Sequence, residues 1–167
     1  MTRKTESEVW KAARFLRAKL KGKEIVFLCI GTQKITGDRF GPGTGTLLND
    51  RLSSPYYIYG MLGSNLHAQN LERAVAALRV LHPKACFVAL DAALGAAEEV
   101  GTVRLHCGGV RPRLALGKPL PSVGDFSVIA VVAEQGSDPG RQLRNADANM
   151  VDQLSCFVCA AFRQALA

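Results

Sequence analysis

EIVFLCIGTQKITGDRFGPGTG, residues 24–45, decides how this chain folds. Its first seven residues are mostly apolar and end at Gly31, the pattern of a β-strand buried on both faces. Pro42 can open a helix, where its missing N–H costs nothing, and that helix is predicted to run to about Leu52. A buried strand, a glycine-rich turn and a helix make the first half of an α/β unit. The turn carries one acid, Asp38. It reads either as a phosphate cradle or as the holder of that acid.

The phosphate reading fails on spacing. A P-loop has four residues between its glycines and then Gly-Lys, whereas Gly31 and Gly37 are separated by five and Asp38 stands where the lysine belongs. In GPGTG (41–45) the third glycine comes one position early for a dinucleotide fingerprint. An acid in the loop would also repel a phosphate.

Outward from this stretch, helix and strand alternate. Val9, Ala12, Ala13, Leu16 and Leu20 recur at helical spacing, predicting a helix over 5–20. YYIY (56–59) is a short strand, and Asn70 is the expected N-cap of LERAVAALRVL, which stops before Pro83. KACFVAL (84–90) predicts a second buried strand, with Asp91 the first residue beyond it. TVRLHC (102–107) alternates like an edge strand, 108–124 is rich in Pro and Gly, and FSVIAVVA (126–133) is a third apolar strand. From about Gly140 to Leu166 an apolar stripe through Leu143, Met150, Leu154, Phe157 and Phe162 predicts one helix. The expected fold is a single three-layer α/β/α domain over 1–167, with a mainly parallel sheet of about five strands and the helix of 1–22 packed on it.

Composition agrees with a globular protein: 48% of the 167 residues are apolar and 21% are charged. With 21 Lys and Arg against 14 Asp and Glu the net charge is +7, locally concentrated between Arg3 and Lys23. The excess reads as a solvated surface, with neither nucleic acid nor membrane the expected partner. No apolar run approaches the roughly 20 residues that cross a bilayer, and the N-terminus lacks a signal-peptide core, so a cytoplasmic protein with reduced cysteines is expected. Cys156 and Cys159 form a C-x-x-C inside a helical pattern and read as helix-packing residues.

Open α/β sheets bind ligands beyond the carboxyl ends of their strands. Asp38 and Asp91 both follow buried strands that right-handed crossovers make neighbours, so both acids are expected at one edge. Converging carboxylates can share a proton, position a water or hold a divalent cation. Taken singly, Asp38 is also a turn residue and Asp91 a helix N-cap. His67 lies near the same edge, Glu134 ends the third apolar strand, and Lys118 sits on a segment long enough to cross the edge. Asp125 begins its strand, which simple parallel topology puts at the far edge. His106 and Cys107, adjacent on a strand, point to opposite faces and make no thiolate–imidazole pair.

Four separated blocks, GTQKITGDRFGP (31–42), YGMLGSNLHAQNLE (59–72), VALDAALG (88–95) and GKPLPSVGDFSV (117–128), are similar to those of the YyaC-type sporulation proteins. That family resembles the spore germination protease and, more distantly, the endopeptidases that mature nickel–iron hydrogenases. The resemblance implies a three-layer fold with a mixed five-stranded sheet. It also implies an endopeptidase-like activity on a protein substrate, such as small acid-soluble spore proteins, in the sporulating cell or spore. Asp38 and Asp91 match the two functional acids, with His67, Lys118 and Asp125 carried over as supporting positions. No cofactor is implied beyond a divalent metal at the two acids. Where the hydrogenase enzymes carry a metal-binding histidine, this chain reads LPSVGD, which leaves His67 or His106 to take its place. A binding protein that kept the fold without the chemistry, and a metal-dependent hydrolase, are the alternative readings.

Overall fold

The computed structural model describes residues 3–53, 56–112 and 121–167, with side chains from residue 6 onward. Its elements are α1 (Arg3–Leu20), β1 (Ile25–Cys29), α2 (Phe40–Arg51), β2 (Tyr57–Tyr59), α3 (Leu71–Leu81), β3 (Cys86–Gly95), β4 (Val103–Cys107), β5 (Phe126–Glu134), α4 (Pro139–Arg144) and α5 (Ala148–Leu166). The strands form one sheet in the order β2-β1-β3-β5-β4. Only the β4–β5 pair is antiparallel, so the sheet is mixed and mainly parallel, as expected.

Every residue of β1 is buried, and strand alternation divides them between two cores. Ile25, Phe27 and Cys29 face a layer built from α1, α2 and α5. Val26, Leu28 and Ile30 face α3. Two apolar cores on opposite faces of one sheet make the three layers. Among the described residues no helix is long and apolar enough to cross a membrane.

Four local expectations are corrected. The C-terminal helix is two: α4 ends at Arg144, and α5 starts afresh because the Asp147 carboxylate accepts from the Asn149 and Met150 amides. Helix α2 begins at Phe40, two residues before Pro42 and directly after a 3₁₀ turn over Gly37–Arg39. Asn70 precedes α3 but makes no side-chain cap; its Oδ1 accepts from the His67 amide at 2.8 Å and its Nδ2 donates to the Asn65 carbonyl at 3.0 Å. Of the helix cysteines, Cys159 is buried as expected, whereas Cys156 is exposed.

Candidate functional site

Asp91 is not beyond a strand but inside one. The β1–β3 register ends at Cys29↔Leu90, with the Ile30 amide donating to the Leu90 carbonyl at 2.8 Å. Strand β3 then continues beside β5, Asp91 pairing with Ile129 and Gly95 with Glu134. Asp91 therefore stands one residue past the point where β1 stops, on the α3 side of the sheet with Phe87 and Ala89. It is 6% exposed, and its Oδ1 accepts from the Ala92 amide at 3.0 Å.

The glycines of the first loop bring Asp38 to the same place. Gly31 has φ +136°, and a Cβ there would lie 2.0 Å from the Asp38 carbonyl oxygen. A Cβ on Gly41 would lie 2.1 Å from the Ile30 carbonyl oxygen, and one on Gly45 2.6 Å from Cys29 Sγ. The loop is thus folded flat onto the end of β1, with α2 packed directly behind it. Glycine serves close backbone approach here. Within that fold the Thr32 amide donates to Asp38 Oδ2 at 2.9 Å.

Burial, and then the nearby charge of Asp38, push the Asp91 carboxyl up to about 8, against the pull of the Ala92 N–H. Burial also raises Asp38, opposed by its hydrogen bond from Thr32. Both directions are those of two carboxylates that share a desolvated space and cannot ionise together at low cost. Among the described residues no basic group offsets this rise at either acid. Of the two acids, Asp91 is the more deeply buried and the one pushed up to about 8, so it is the member that holds a proton more strongly.

Both acids line a cleft of about 590 Å³ at the carboxyl end of β1, where β3 runs on past it. There the chain order reverses, with β2 on one side and β5 on the other, the position at which open α/β sheets bind ligands. His67 lines the same cleft. Its Nδ1 accepts from the Gln69 amide at 3.3 Å, so the neutral ring carries its proton on Nε2. Thr32, Gln33, Lys34, Asn65 and Gln69 also line it. Sequence reasoning did not single these out, because their signal is cross-loop: Gly63 N–H donates to Gln33 Oε1 at 2.8 Å and Gln33 N–H to Asn65 Oδ1 at 3.3 Å. A larger hollow of about 720 Å³ between α1, α5 and β4 is mostly apolar and holds no converging acids.

The other expected positions lie elsewhere. Asp125 is at the amino end of β5, four residues before the neighbour of Asp91 and hence about 13 Å along the strand. It receives both Arg79 guanidinium nitrogens at 2.8 and 2.9 Å and the Phe87 amide at 2.8 Å. Burial pushes this carboxyl up, but those hydrogen bonds and the charge of Arg79 outweigh it and hold Asp125 below the usual carboxylate range. It is a structural clamp at the opposite edge, not a supporting site residue. His106 is opposite Ser127 on β4, likewise toward the amino end of β5 and exposed. Glu134 is exposed at the end of β5. Lys118 lies outside the described residues.

For a metal, the cleft offers two carboxylates. Among the described residues no group of three or more His, Cys, Asp and Glu is placed to hold an ion, so His67 does not complete a set with the acids. Such a pair fits a hard cation that keeps several waters, not a zinc- or nickel-type site with three or four protein ligands.

A family model described as "Protein of unknown function (DUF1256)" matches residues 1–160. The chain is 34% identical over 133 residues to the uncharacterized protein YyaC of Bacillus subtilis (strain 168), covering 80% of this chain and 65% of that protein. The matched stretch is thus less than two thirds of the length of YyaC. Among solved structures, a [NiFe] hydrogenase maturation protease, HycI from Thermococcus kodakarensis KOD1, superposes with a TM-score of 0.56 at 16% identity, covering 89% of this chain and 98% of that one. At that identity the likeness is one of fold. The chain belongs to the DUF1256 family, is of the YyaC type, and is built on a fold shared with a hydrogenase maturation protease.

Proposed function

We propose that this protein is an endopeptidase that cleaves a protein substrate in the Asp38–Asp91 cleft. The observation that carries the reading is the unequal pair: Asp91 buried and pushed up to about 8, Asp38 beside it and less buried. An aspartate mechanism needs that arrangement, one carboxylate as base and one carboxylic acid as donor. In the first step Asp38 takes a proton from a water while Asp91 donates a hydrogen bond to the peptide carbonyl. The water oxygen bonds to the carbonyl carbon, giving a tetrahedral intermediate. The C–N bond then breaks, the departing nitrogen takes the proton from Asp38, and the dyad is left with the one proton it began with. The amide side chains of Gln33, Asn65 and Gln69 supply donors and acceptors suited to an extended peptide backbone. The shared fold with a maturation protease supports a peptidase-like scaffold, and resemblance to spore peptidases makes small acid-soluble spore proteins the first substrates to try.

The test is digestion in ¹⁸O water, with cleavage sites read by mass spectrometry, for wild type, Asp38→Asn and Asp91→Asn. One ¹⁸O in each new carboxyl terminus from wild type, and a loss of about a thousandfold or more in both variants, is expected. Undiminished cleavage by both variants would sink the dyad. Wild-type binding of the polypeptide without cleavage would make the cleft a peptide-binding module.

A further inference from the structure

The basic excess is not spread over the molecule. Residues 1–23 hold eight of the 21 bases and two of the 14 acids, so six of the seven net positive charges sit on α1 and the turn after it. Trp10, Arg14 and Arg17 on the helix and Lys21 at the start of the turn after it recur at i, i+4, i+7 and i+11 and so form one row. All four are exposed, Trp10 by 54%. Two hollows follow the row and meet at Arg17. One, of about 340 Å³, lies among Trp10, Arg14, Arg17 and Gln164; the other, of about 310 Å³, is flanked by Arg17, Lys21 and Lys23. Arg14 stands 5.2 Å over the Trp10 ring. Among the described residues no base of α1 takes part in a salt bridge. Lys19 stands 5.7 Å over the Phe15 ring, and Arg17 donates to the carbonyls of Gln164 and Ala165 at the end of α5.

We propose that this row is a docking surface for a single-stranded polynucleotide, its phosphates tracking Arg14, Arg17, Lys21 and Lys23 and a base stacking on Trp10. A line of cations beside an exposed aromatic ring is the arrangement that binds single strands without reading sequence. An anionic membrane fits less well. The apolar face of α1 (Val9, Ala13, Leu16, Leu20) is buried in the core and cannot insert, and the remaining exposed ring, Phe15, is on another side of the helix, packed against Phe126 at 6.0 Å. The surface is independent of the acidic cleft, and its test does not depend on peptidase activity.

Trp10 is the only tryptophan in the chain, so its emission reports stacking at this site directly. The probe is 5′-fluorescein-labelled (dT)20, followed by anisotropy, with the unlabelled oligomer used for tryptophan quenching. Binding with quenching of Trp10 is expected. Three to four phosphate contacts give a salt slope of about −2 to −3, so raising salt from 50 to 200 mM weakens binding about 20- to 50-fold. Arg14→Glu/Lys21→Glu weakens it at least about tenfold and Trp10→Ala about fivefold or more. Lys84→Glu, an exposed charge outside the row, leaves binding within about twofold. Any of four results overturns the proposal: no anisotropy change at 50 mM salt, binding with unquenched Trp10, equal loss in Lys84→Glu, or displacement by polyglutamate or phosphatidylglycerol vesicles as effective as by the unlabelled oligomer.

Discussion

Replacing Asp91 by Asn removes the one buried group whose protonation differs most between the folded and unfolded chain. In the unfolded chain it loses its proton near the ordinary 3.8; in the fold it keeps it up to about 8. Between those values the folded state binds one proton more than the unfolded state, so stability falls as pH rises, by about 1.4 kcal/mol per pH unit. Across some four units the ceiling is about 5 kcal/mol, comparable with the whole stability of a small domain. Water reaching the cleft reduces that figure, and a realistic loss is about 3 kcal/mol by pH 8. Asn is neutral throughout, keeps the acceptor for the Ala92 amide, and escapes the penalty. Urea denaturation of wild type and Asp91→Asn from pH 4 to 9 reads the difference, with groups outside the acid pair cancelling. The variant gains on wild type steadily from pH 4, and the gain levels off above pH 8. Parallel curves, with a constant difference across that range, would refute the reasoning.

Gly41→Ala forces a Cβ to 2.1 Å from the Ile30 carbonyl oxygen, so a loss of about 3 kcal/mol in thermal or urea stability is expected, with α2 and Asp38 displaced together. Asp125→Ala leaves the Phe87 amide without its acceptor and Arg79 without its partner; stability falls by about 1–2 kcal/mol while cleavage by the folded fraction is unchanged. Asp147→Ala removes the cap between α4 and α5 and costs about 1 kcal/mol, measured by urea midpoint.

The fold was legible wherever apolar pattern and burial coincide. The run 25–29 is buried on both faces and reads as such, and α3 begins and ends where LERAVAALRVL does. Asp91 misled the strand boundary because a charge in an apolar run looks like an end; the pairing with β5 carries β3 five residues past Leu90 and buries the acid inside the sheet. The break between α4 and α5 was hidden because Leu143 and Met150, seven residues apart, keep helical phase across it. That Asp38 and Asp91 face one cleft followed from their places after β1 and in its neighbour β3, although Asp91 lies inside its strand and not at its end. The amide side chains around them were not legible, since Gln33 and Asn65 meet only through hydrogen bonds between loops some thirty residues apart. Asp125 shows the reverse case: simple parallel topology put it at the far edge, and the Arg79 clamp is what holds it there.

The shared proton is the central claim, and carboxyl ¹³C chemical shifts titrated by NMR in wild type and Asp38→Asn measure it directly. The account predicts a wild-type Asp91 midpoint near 8 that drops by about one unit when the Asp38 charge is removed. It also predicts that the midpoint stays well above the usual carboxylate range, because burial is the larger cause. An Asp91 midpoint near 4 in wild type, or one unmoved by the substitution, would contradict it.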